Sequence, residues 1–303
     1  MNKRAILPIN MDTTEILKRI RKIEISTRNI VNEIFSGEYH SLFKGQGLEF
    51  SEVRDYQPGD SYKQIDWNVS ARMGHPYIKI FSETRELNVI FVVDCSASTL
   101  FGTYKYLKSE FVTEITAVLA FSAITNNDKV GLLLFSDMIE KYIPPRKGKK
   151  TALRILREVL YYRPESKGTK LSQAVRYLYR LLNKKSIIFI LSDFYDSDYD
   201  EDLKILAKKH DVVAIQVIDN AELELPRLGL LHLSDPETGK TFTVNSFSKR
   251  IRNEFSKKTA ARQMEIMERF KKMRVDLITL KTGDNYVTEL MKFFKKRIKR
   301  RNR

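Results

Sequence analysis

The feature that most constrains the fold of this chain is a pair of apolar runs that each end in aspartate. Asn88–Asp94 reads NVIFVVD and Ser186–Asp193 reads SIIFILSD. Near-continuous apolar runs of this length predict central strands of a parallel sheet, because such strands are buried on both faces. Further strands are predicted at Val130–Phe135, Val212–Ile218 and Val275–Leu280.

Helical patterns alternate with these strands from Leu87 onward. Apolar residues at three-or-four spacing predict the following helices: Thr103–Thr125, Lys150–Tyr161, Leu171–Asn183, Asp200–His210, Phe247–Met273 and one beginning near Tyr286. Alternating strands and helices give a parallel sheet covered by helices on both faces. The predicted fold class is therefore α/β, with a doubly wound, Rossmann-like and mostly parallel sheet.

Two further segments flank or interrupt this pattern. A helix is predicted at Asp12–Phe35, with Asp12 as a candidate N-cap, and residues 39–86 are predicted to form loops and short strands. Residues 219–246 contain two β-like runs around a Pro-Glu-Thr-Gly turn, which predicts a hairpin inserted at the sheet edge. We therefore expect an N-terminal segment, 1–86, packed on a main domain, 87–303.

The composition excludes several classes of protein. Hydrophobic residues make up 42% of the 303 residues, which is enough for a sizeable core. The single cysteine, Cys95, excludes an intramolecular disulfide framework, and the N-terminus lacks the pattern of a secretory signal. The longest apolar runs are far shorter than the roughly 20 residues of a membrane helix. We expect a cytoplasmic protein, with peripheral association at the inner membrane face left open.

Oxygen-bearing side chains follow both Asp-terminated strands. Ligands of an open parallel sheet bind beyond the carboxyl ends of its strands, where the winding direction reverses. The candidate metal ligands are two carboxylates and three hydroxyls: Asp94, Ser96, Ser98, Thr169 and Asp193. This hard-oxygen set, without His or Cys, suits Mg²⁺, with Mn²⁺ or Ca²⁺ as alternatives, and disfavours zinc.

This motif resembles the metal-ion-dependent adhesion site of von Willebrand factor A domains. That site is written Asp-x-Ser-x-Ser, then Thr, then Asp, and the chain matches it at the five candidate positions. The resemblance implies that Ser96, Ser98 and Thr169 contact the metal directly, while the two aspartates hold it largely through water. It also implies that a partner's Glu or Asp completes the coordination. The chain departs from the pattern at Ala97, where glycine is usual, and at Ser192-Asp193-Phe194, where Thr-Asp-Gly is common.

The segment before the sheet carries a second resemblance. Gly45–Arg72, GQGLEFSEVRDYQPGDSYKQIDWNVSAR, looks like the signature of the bacterial family labelled "domain of unknown function 58". Members are similar to adaptors that work with MoxR-type AAA+ ATPases, which implies that partner here, with other von Willebrand A-domain proteins as further partners. The candidate partner contacts in this segment are Arg54, Asp60, Asp66, Trp67 and Arg72. From the residues alone, the segment forms either a rigid structural clasp or an interface with an anchor residue, and the clasp is favoured.

Much of the net charge of +16 is concentrated at the C-terminus. Residues 291–303 read MKFFKKRIKRRNR, without an acidic residue. This run is interpreted either as a solvated helix end or as a contact with anionic lipid or an acidic partner. The candidate contacts are Lys295, Lys296, Arg297, Lys299, Arg300 and Arg301. Nucleic acid is disfavoured, because the sequence has no zinc-finger spacing and no aromatic RNA-binding signature.

The sequence contains two further features that bear on a cation site and on catalysis. The acidic residues between 196 and 202 indicate either a second cation site or an acidic helix start, and the helix start is favoured. Phosphoryl transfer assisted by Mg²⁺ is the enzymatic alternative, but the chain has no complete phosphate loop and no GxGxxG, GxSxG or HExxH motif. The sequence favours a non-enzymatic, metal-dependent protein–protein interaction module.

Overall fold

The computed structural model describes residues 13–31, 49–82, 86–100, 102, 107–166, 168–234 and 241–301. Its strands are β1 Glu49–Asp55, β2 Tyr77–Ser82, β3 Asn88–Asp94, β4 Lys129–Phe135, β5 Ile139–Arg146, β6 Ser186–Ser192, β7 Asp211–Ile218, β8 Leu230–Ser234, β9 Thr241–Asn245 and β10 Asp276–Lys281. Its helices are α1 Thr13–Ile30, α2 Trp67–Met73, α3 Lys108–Thr125, α4 Lys149–Tyr161, α5 Leu171–Leu181, α6 Asp200–Lys209, α7 Asn220–Leu223, α8 Lys249–Met273 and α9 Tyr286–Arg301.

Six strands form the central sheet, in the order β10-β7-β6-β3-β4-β5. All neighbours are parallel except β4 and β5, which are antiparallel. The chain runs outward from β3 through β4 to β5, then returns to β6 on the other side of β3 and continues outward to β7 and β10. The winding direction therefore reverses between β3 and β6. The predicted α/β class with a mostly parallel sheet is confirmed.

Helices cover both faces of this sheet. On one face, α3, α4 and α9 share a core that includes Phe91 of β3 and Phe294 of α9. On the other face, α5, α6 and α8 share a core that includes Ile188 of β6 and Phe270 of α8. The strands between these layers are buried along nearly their whole length. Burial on both sides is the physical reason that their sequences are continuously apolar.

The N-terminal helix α1 lies outside this three-layer core. Ile20 is buried against Ala117 of α3 and Leu156 of α4, so α1 packs over those two helices. The helix was predicted at 12–35; the candidate N-cap Asp12 and residues 32–35 lie outside the described residues. The predicted start of α3 at Thr103 also lies outside them, as do the first residues of the segment Gly45–Arg72, including Gly45 and Gly47.

The edge strand β5 is not predicted by the sequence pattern. It reads IEKYIPPR and is only partly buried. Proline lacks the N–H group that a central strand must donate, so Pro144 and Pro145 are tolerated because β5 lies at the sheet edge. The pairing of β5 with β4 shifts register between Val130 and Leu132.

Gly131, at that shift, is required by the close approach of β5. A Cβ there would lie 2.9 Å from the Ile143 carbonyl oxygen, 3.0 Å from the Pro145 nitrogen and 3.1 Å from Ile90 Cδ1. Because two of these atoms belong to backbone, Gly131→Ala is expected to lower the free energy of unfolding by about 2 kcal/mol. Urea denaturation measures this change. A loss below about 0.5 kcal/mol would contradict the steric argument.

The predicted hairpin is present between β7 and α8. Strands β8 and β9 pair antiparallel, from Leu230 with Asn245 to Ser234 with Thr241. They form a two-stranded sheet of their own and do not extend the six-stranded sheet. The Pro-Glu-Thr-Gly turn predicted to join them lies outside the described residues.

His210, between α6 and β7, provides a pH-dependent contribution to stability. Its ring is buried, and Nδ1 accepts a hydrogen bond of 3.2 Å from the Ser186 amide. Burial, with a smaller effect of the Lys209 charge, lowers the pKa of His210 from 6.5 to about 4. The unfolded chain therefore binds the proton more readily, and stability is lost as pH falls from 6.5 towards 4.

We expect the wild-type chain to lose about 2 kcal/mol more stability than His210→Asn between pH 7 and pH 5. Asparagine offers an oxygen that can accept the same Ser186 amide but does not titrate in this range. Urea denaturation at the two pH values measures the difference. Parallel pH profiles for the two proteins would show that folding does not change the pKa of His210.

Candidate functional site

The candidate site is centred on Asp94, where β3 ends beside β6. The parallel register places Val93 opposite Leu191, so Asp94 is next to Ser192. The Ser192 hydroxyl donates to Asp94 Oδ2 at 2.8 Å, and the Ser96 amide donates to Oδ1 at 2.9 Å. Asp94 is only 3% exposed. Its carboxylate is therefore fixed through both oxygens.

The loop after β3 brings two serine hydroxyls beside this carboxylate. It enters a short 3₁₀ helix, Ala97–Leu100. The Ser96 carbonyl accepts hydrogen bonds from the Thr99 amide at 3.1 Å and the Thr99 hydroxyl at 2.8 Å. This turn leaves the Ser96 and Ser98 hydroxyl oxygens 3.1 Å apart. The alternating Asp-x-Ser-x-Ser spacing thus lets one tight turn gather three oxygen-bearing side chains.

Asp193, directly after β6, adds a second buried carboxylate. The Tyr195 amide donates to its Oδ1 at 3.2 Å, and Gln216 Nε2 donates to its main-chain oxygen at 3.0 Å. Burial, and then the nearby Asp193 charge, raise the pKa of Asp94 above its ordinary range, although hydrogen bonds from Ser96 and Ser192 oppose the shift. Two buried carboxylates that repel each other, with hydroxyls beside them, form a donor set that fits a hard divalent cation.

Thr169 lies at the same end of the sheet. The next residue, Lys170, donates its amide to the carbonyl of Ser136, which follows β4, at 2.9 Å. The Leu171 amide donates to Asp196 Oδ2, beyond β6, at 2.7 Å. These bonds hold the half-buried Thr169 at the carboxyl ends of the strands, the edge that carries Asp94.

Glu140 orders the segment that leads to Thr169 and was missed by sequence reasoning. Its carboxylate accepts the Tyr162 hydroxyl at 3.3 Å, the Glu165 amide at 3.1 Å and the Ser166 amide at 3.3 Å. No local pattern marks it, because it lies on the unpredicted strand β5. Within the described residues it is a positioning group for that segment.

Lys108 was also missed, and it contacts the candidate site directly. Its ammonium lies 3.5 Å from Asp193 Oδ2 and 2.9 Å from Glu222 Oε1, and the residue is 2% exposed. A signal existed in the sequence: Lys108 is three residues before Phe111, on the stripe of α3 that faces the core. An ionisable residue on a core stripe indicates a buried ion pair.

The acidic residues after β6 act as links between helices. Asp200 accepts a bidentate pair of hydrogen bonds from Arg269 of α8. Asp202 accepts a single hydrogen bond from Arg176 Nε of α5 at 2.8 Å. Asp200 and Asp202 both lie in the first turn of α6, as the helix-start interpretation expects. Among the described residues, no three His, Cys, Asp or Glu side chains are grouped as metal ligands. The second-cation alternative therefore gains no support in that part of the chain.

The segment around β1, α2 and β2 uses its charges internally. Arg54 makes a bidentate pair with Asp60, at 2.9 and 2.8 Å, and Asp60 also accepts the Gln57 amide at 2.8 Å. Asp66 is the N-cap of α2 and lies 3.5 Å from the Lys79 ammonium. Because Arg54, Asp60 and Asp66 all have internal partners, their arrangement favours the structural clasp.

The other two partner candidates of this segment are accessible. Trp67 is 70% exposed, and Arg72 is exposed on the same helix. Tyr62 is 75% exposed and stacks on Tyr56, with ring centroids 6.4 Å apart. Exposed aromatic rings on a rigid segment are typical anchors of protein interfaces.

The structure corrects one prediction for the basic tail. Arg297 is buried, pairs with Asp211, and donates Nε to Asp276 at 2.8 Å. Arg300 also pairs with Asp276. Arg297 therefore anchors α9 to the starts of β7 and β10 and is not exposed to a lipid surface or an acidic partner. The exposed candidates are Lys295, Lys296, Lys299 and Arg300, while the side chain of Arg301 lies outside the described set.

Comparisons with known proteins give a family and several relatives. Residues 52–265 match the model of the family described as Protein of unknown function DUF58. An uncharacterized protein of Mycobacterium tuberculosis is 28% identical over 294 residues, which cover 95% of this chain and 92% of that protein. The uncharacterized protein YeaD of Bacillus subtilis is 33% identical over 82 residues, 27% of this chain and 19% of YeaD.

The chain is also similar to a solved structure, that of the conserved hypothetical protein BatB from Bacteroides thetaiotaomicron. It is 17% identical with a TM-score of 0.45, over 70% of this chain and 99% of that one.

Within the described part of this chain, no helix combines the length and apolar character needed to span a membrane.

Proposed function

The chain belongs to the DUF58 family. We propose that it is a non-enzymatic module that binds a partner protein through a divalent cation. The cation, Mg²⁺ in our proposal, is held by Asp94, Ser96, Ser98, Thr169 and Asp193. The fold is that of a von Willebrand A domain, and the partner is a MoxR-type AAA+ ATPase. Other von Willebrand A-domain proteins are further partners.

The observation that carries the proposal is the pair of buried carboxylates at the point where the winding direction reverses. Asp94 and Asp193 end neighbouring strands, and the Ser96 and Ser98 hydroxyls lie 3.1 Å apart beside them. Burying two like charges close together is unfavourable unless a positive charge offsets them. Lys108 lies closer to Glu222, at 2.9 Å, than to Asp193, at 3.5 Å, so it offsets the two aspartates only in part. A bound Mg²⁺ would supply the remaining positive charge and would accept a carboxylate oxygen from the partner.

Two surfaces of this chain would determine which partner is chosen. The exposed Trp67 and Tyr62 offer aromatic anchors, and Arg72 on the same segment can pair with an acidic partner group. The internally paired Arg54, Asp60 and Asp66 would keep this segment rigid. Rigidity lowers the conformational entropy that is lost on binding.

The test is a pulldown from host lysate, read by mass spectrometry, in Mg²⁺ or EDTA. The wild-type chain is compared with Asp94→Asn, with Ser96→Ala/Ser98→Ala and with Asp198→Asn as a matched control. Asp198 is exposed and has a φ of 65°, a conformation that asparagine also adopts readily. An AAA+ ATPase should be recovered in Mg²⁺ with the wild type and Asp198→Asn, and lost with the other variants or with EDTA. Recovery that EDTA and the serine changes leave intact would refute the metal-dependent interaction.

The absence of catalysis is tested separately. We expect the purified chain to hydrolyse ATP no faster in Mg²⁺ than in EDTA. Appreciable turnover that Asp94→Asn abolished would establish the phosphoryl-transfer alternative instead.

A further inference from the structure

Lys108 lies in an unusual position for a lysine. It is the first residue of α3 and is 2% exposed, and its ammonium is 2.9 Å from Glu222 Oε1 and 3.2 Å from Oε2. Asp193 Oδ2 is further away, at 3.5 Å. Removing an ammonium from water costs several kcal/mol unless its partners are well placed. Lys108 is therefore shared between Asp193 and Glu222 and lies closer to Glu222.

Glu222 is held independently of Lys108. It lies in the short helix α7, where its Oε2 accepts the Asp219 amide at 2.8 Å as part of a capping box. Asp219 Oδ2 in turn accepts the Thr282 hydroxyl at 2.8 Å. The Glu222 carboxylate thus stays in place whether or not Lys108 leans towards Asp193.

Lys108 and Glu222 carry opposite charges close to the candidate metal centre, so they affect a bound cation in opposite ways. Asp193 is a proposed metal ligand, so a divalent cation there would face the Lys108 ammonium across a solvent-poor space. Coulomb repulsion between two cations is strong in such a space. The Glu222 carboxylate offsets the repulsion because it attracts the ammonium away from Asp193.

We propose that Lys108 and Glu222 set the affinity of the candidate metal centre for divalent cations. This inference rests on the proposed metal site. In the metal-free protein Lys108 compensates the charge of Asp193, and its ammonium weakens the binding of a cation. Glu222 has the opposite effect, since it draws the ammonium to its own side. The pair is a positioning and charge-balancing device, and neither residue is a metal ligand.

A purely structural ion pair predicts a different outcome. Breaking such a pair from either side would lower stability and would change cation affinity in the same direction or not at all. The charge-balancing role predicts opposite signs: loss of the Lys108 charge tightens cation binding, and loss of the Glu222 charge weakens it.

The experiment is a Mn²⁺ titration of the full chain, followed by the electron paramagnetic resonance signal of free Mn²⁺. The variants are Lys108→Met, Glu222→Gln, Lys108→Met/Glu222→Gln and Asp94→Asn, with Lys292→Met as an exposed control. Circular dichroism checks folding, and the double variant replaces the pair by neutral groups of similar shape. We expect Lys108→Met to bind Mn²⁺ at least about tenfold more tightly and Glu222→Gln at least about threefold more weakly, with the double variant tighter than wild type.

The outcomes separate this inference from the proposed function. Equal or weaker binding by both Lys108→Met and the double variant overturns the charge-balancing role, even if Asp94→Asn abolishes binding as the metal site requires. If neither the wild type nor Lys108→Met binds Mn²⁺, both the metal site and its tuning are wrong. Binding that Asp94→Asn leaves unchanged refutes the metal site itself, and the inference falls with it.

Discussion

Mg²⁺ is expected to raise the thermal unfolding midpoint of the wild-type chain and to leave that of Asp94→Asn unchanged. A ligand that binds only the folded state stabilises it by an amount that grows with the ratio of its concentration to Kd, about 3 kcal/mol at roughly 100 times Kd. Asparagine removes one of the two carboxylate charges that would hold the cation. Differential scanning calorimetry in Mg²⁺ and in EDTA measures both proteins.

The same variant is informative without metal. In EDTA we expect Asp94→Asn to be at least as stable as the wild type, because its amide oxygen can accept the hydrogen bond from Ser96 or Ser192 without adding a second charge near Asp193. A loss of stability in EDTA would show that the ionised carboxylate is satisfied without a cation. An equal Mg²⁺ shift in both proteins would locate the binding elsewhere.

The central sheet could be predicted because strands that are buried on both faces have continuously apolar sequences. Strands β3 and β6 are enclosed by helices on both faces, so the buried positions between their two ends are all apolar. The edge strand β5 has one neighbour and partial exposure, and its charges and prolines give no strand pattern. The hairpin could be predicted from its turn, but its separation from the main sheet is decided by tertiary packing.

The part of the candidate site that lies within one turn of the chain could also be predicted from the sequence. The Asp-x-Ser-x-Ser turn places its own side chains together, because residues two apart in a tight turn are neighbours in space. Lys108 and Arg297 contact residues that are far away in the sequence. The local pattern of a single sequence does not show which distant residues become neighbours in the fold, so these contacts could not be predicted. Without its partner Asp211, Arg297 looks in the sequence like one more exposed residue of the basic C-terminal run.

Phe194, immediately after Asp193, is a buried residue whose truncation should lower the free energy of unfolding by several kcal/mol. Its φ of 58° lies in the left-handed region, which glycine adopts without strain and a residue with a large side chain does not. The side chain is nonetheless buried, with its ring edge-to-face on Phe270 at 4.9 Å and 6.3 Å from the Tyr199 ring. Its amide donates to the Ser192 hydroxyl, which holds Asp94. Packing of the ring therefore offsets a strained backbone beside the candidate site.

This balance predicts an unusual order of stability for two truncations of Phe194. Phe194→Ala loses the buried ring and keeps the strain, so we expect a loss of about 4 kcal/mol. Phe194→Gly loses the same ring but relieves the strain, so the expected loss is about 3 kcal/mol. Glycine would thus be the more stable of the two, the reverse of the order at most ordered positions. Urea denaturation of both variants tests it: an alanine variant as stable as the glycine variant would show that φ at residue 194 is not strained, and losses below about 1 kcal/mol in both would show that the ring contributes little to the core.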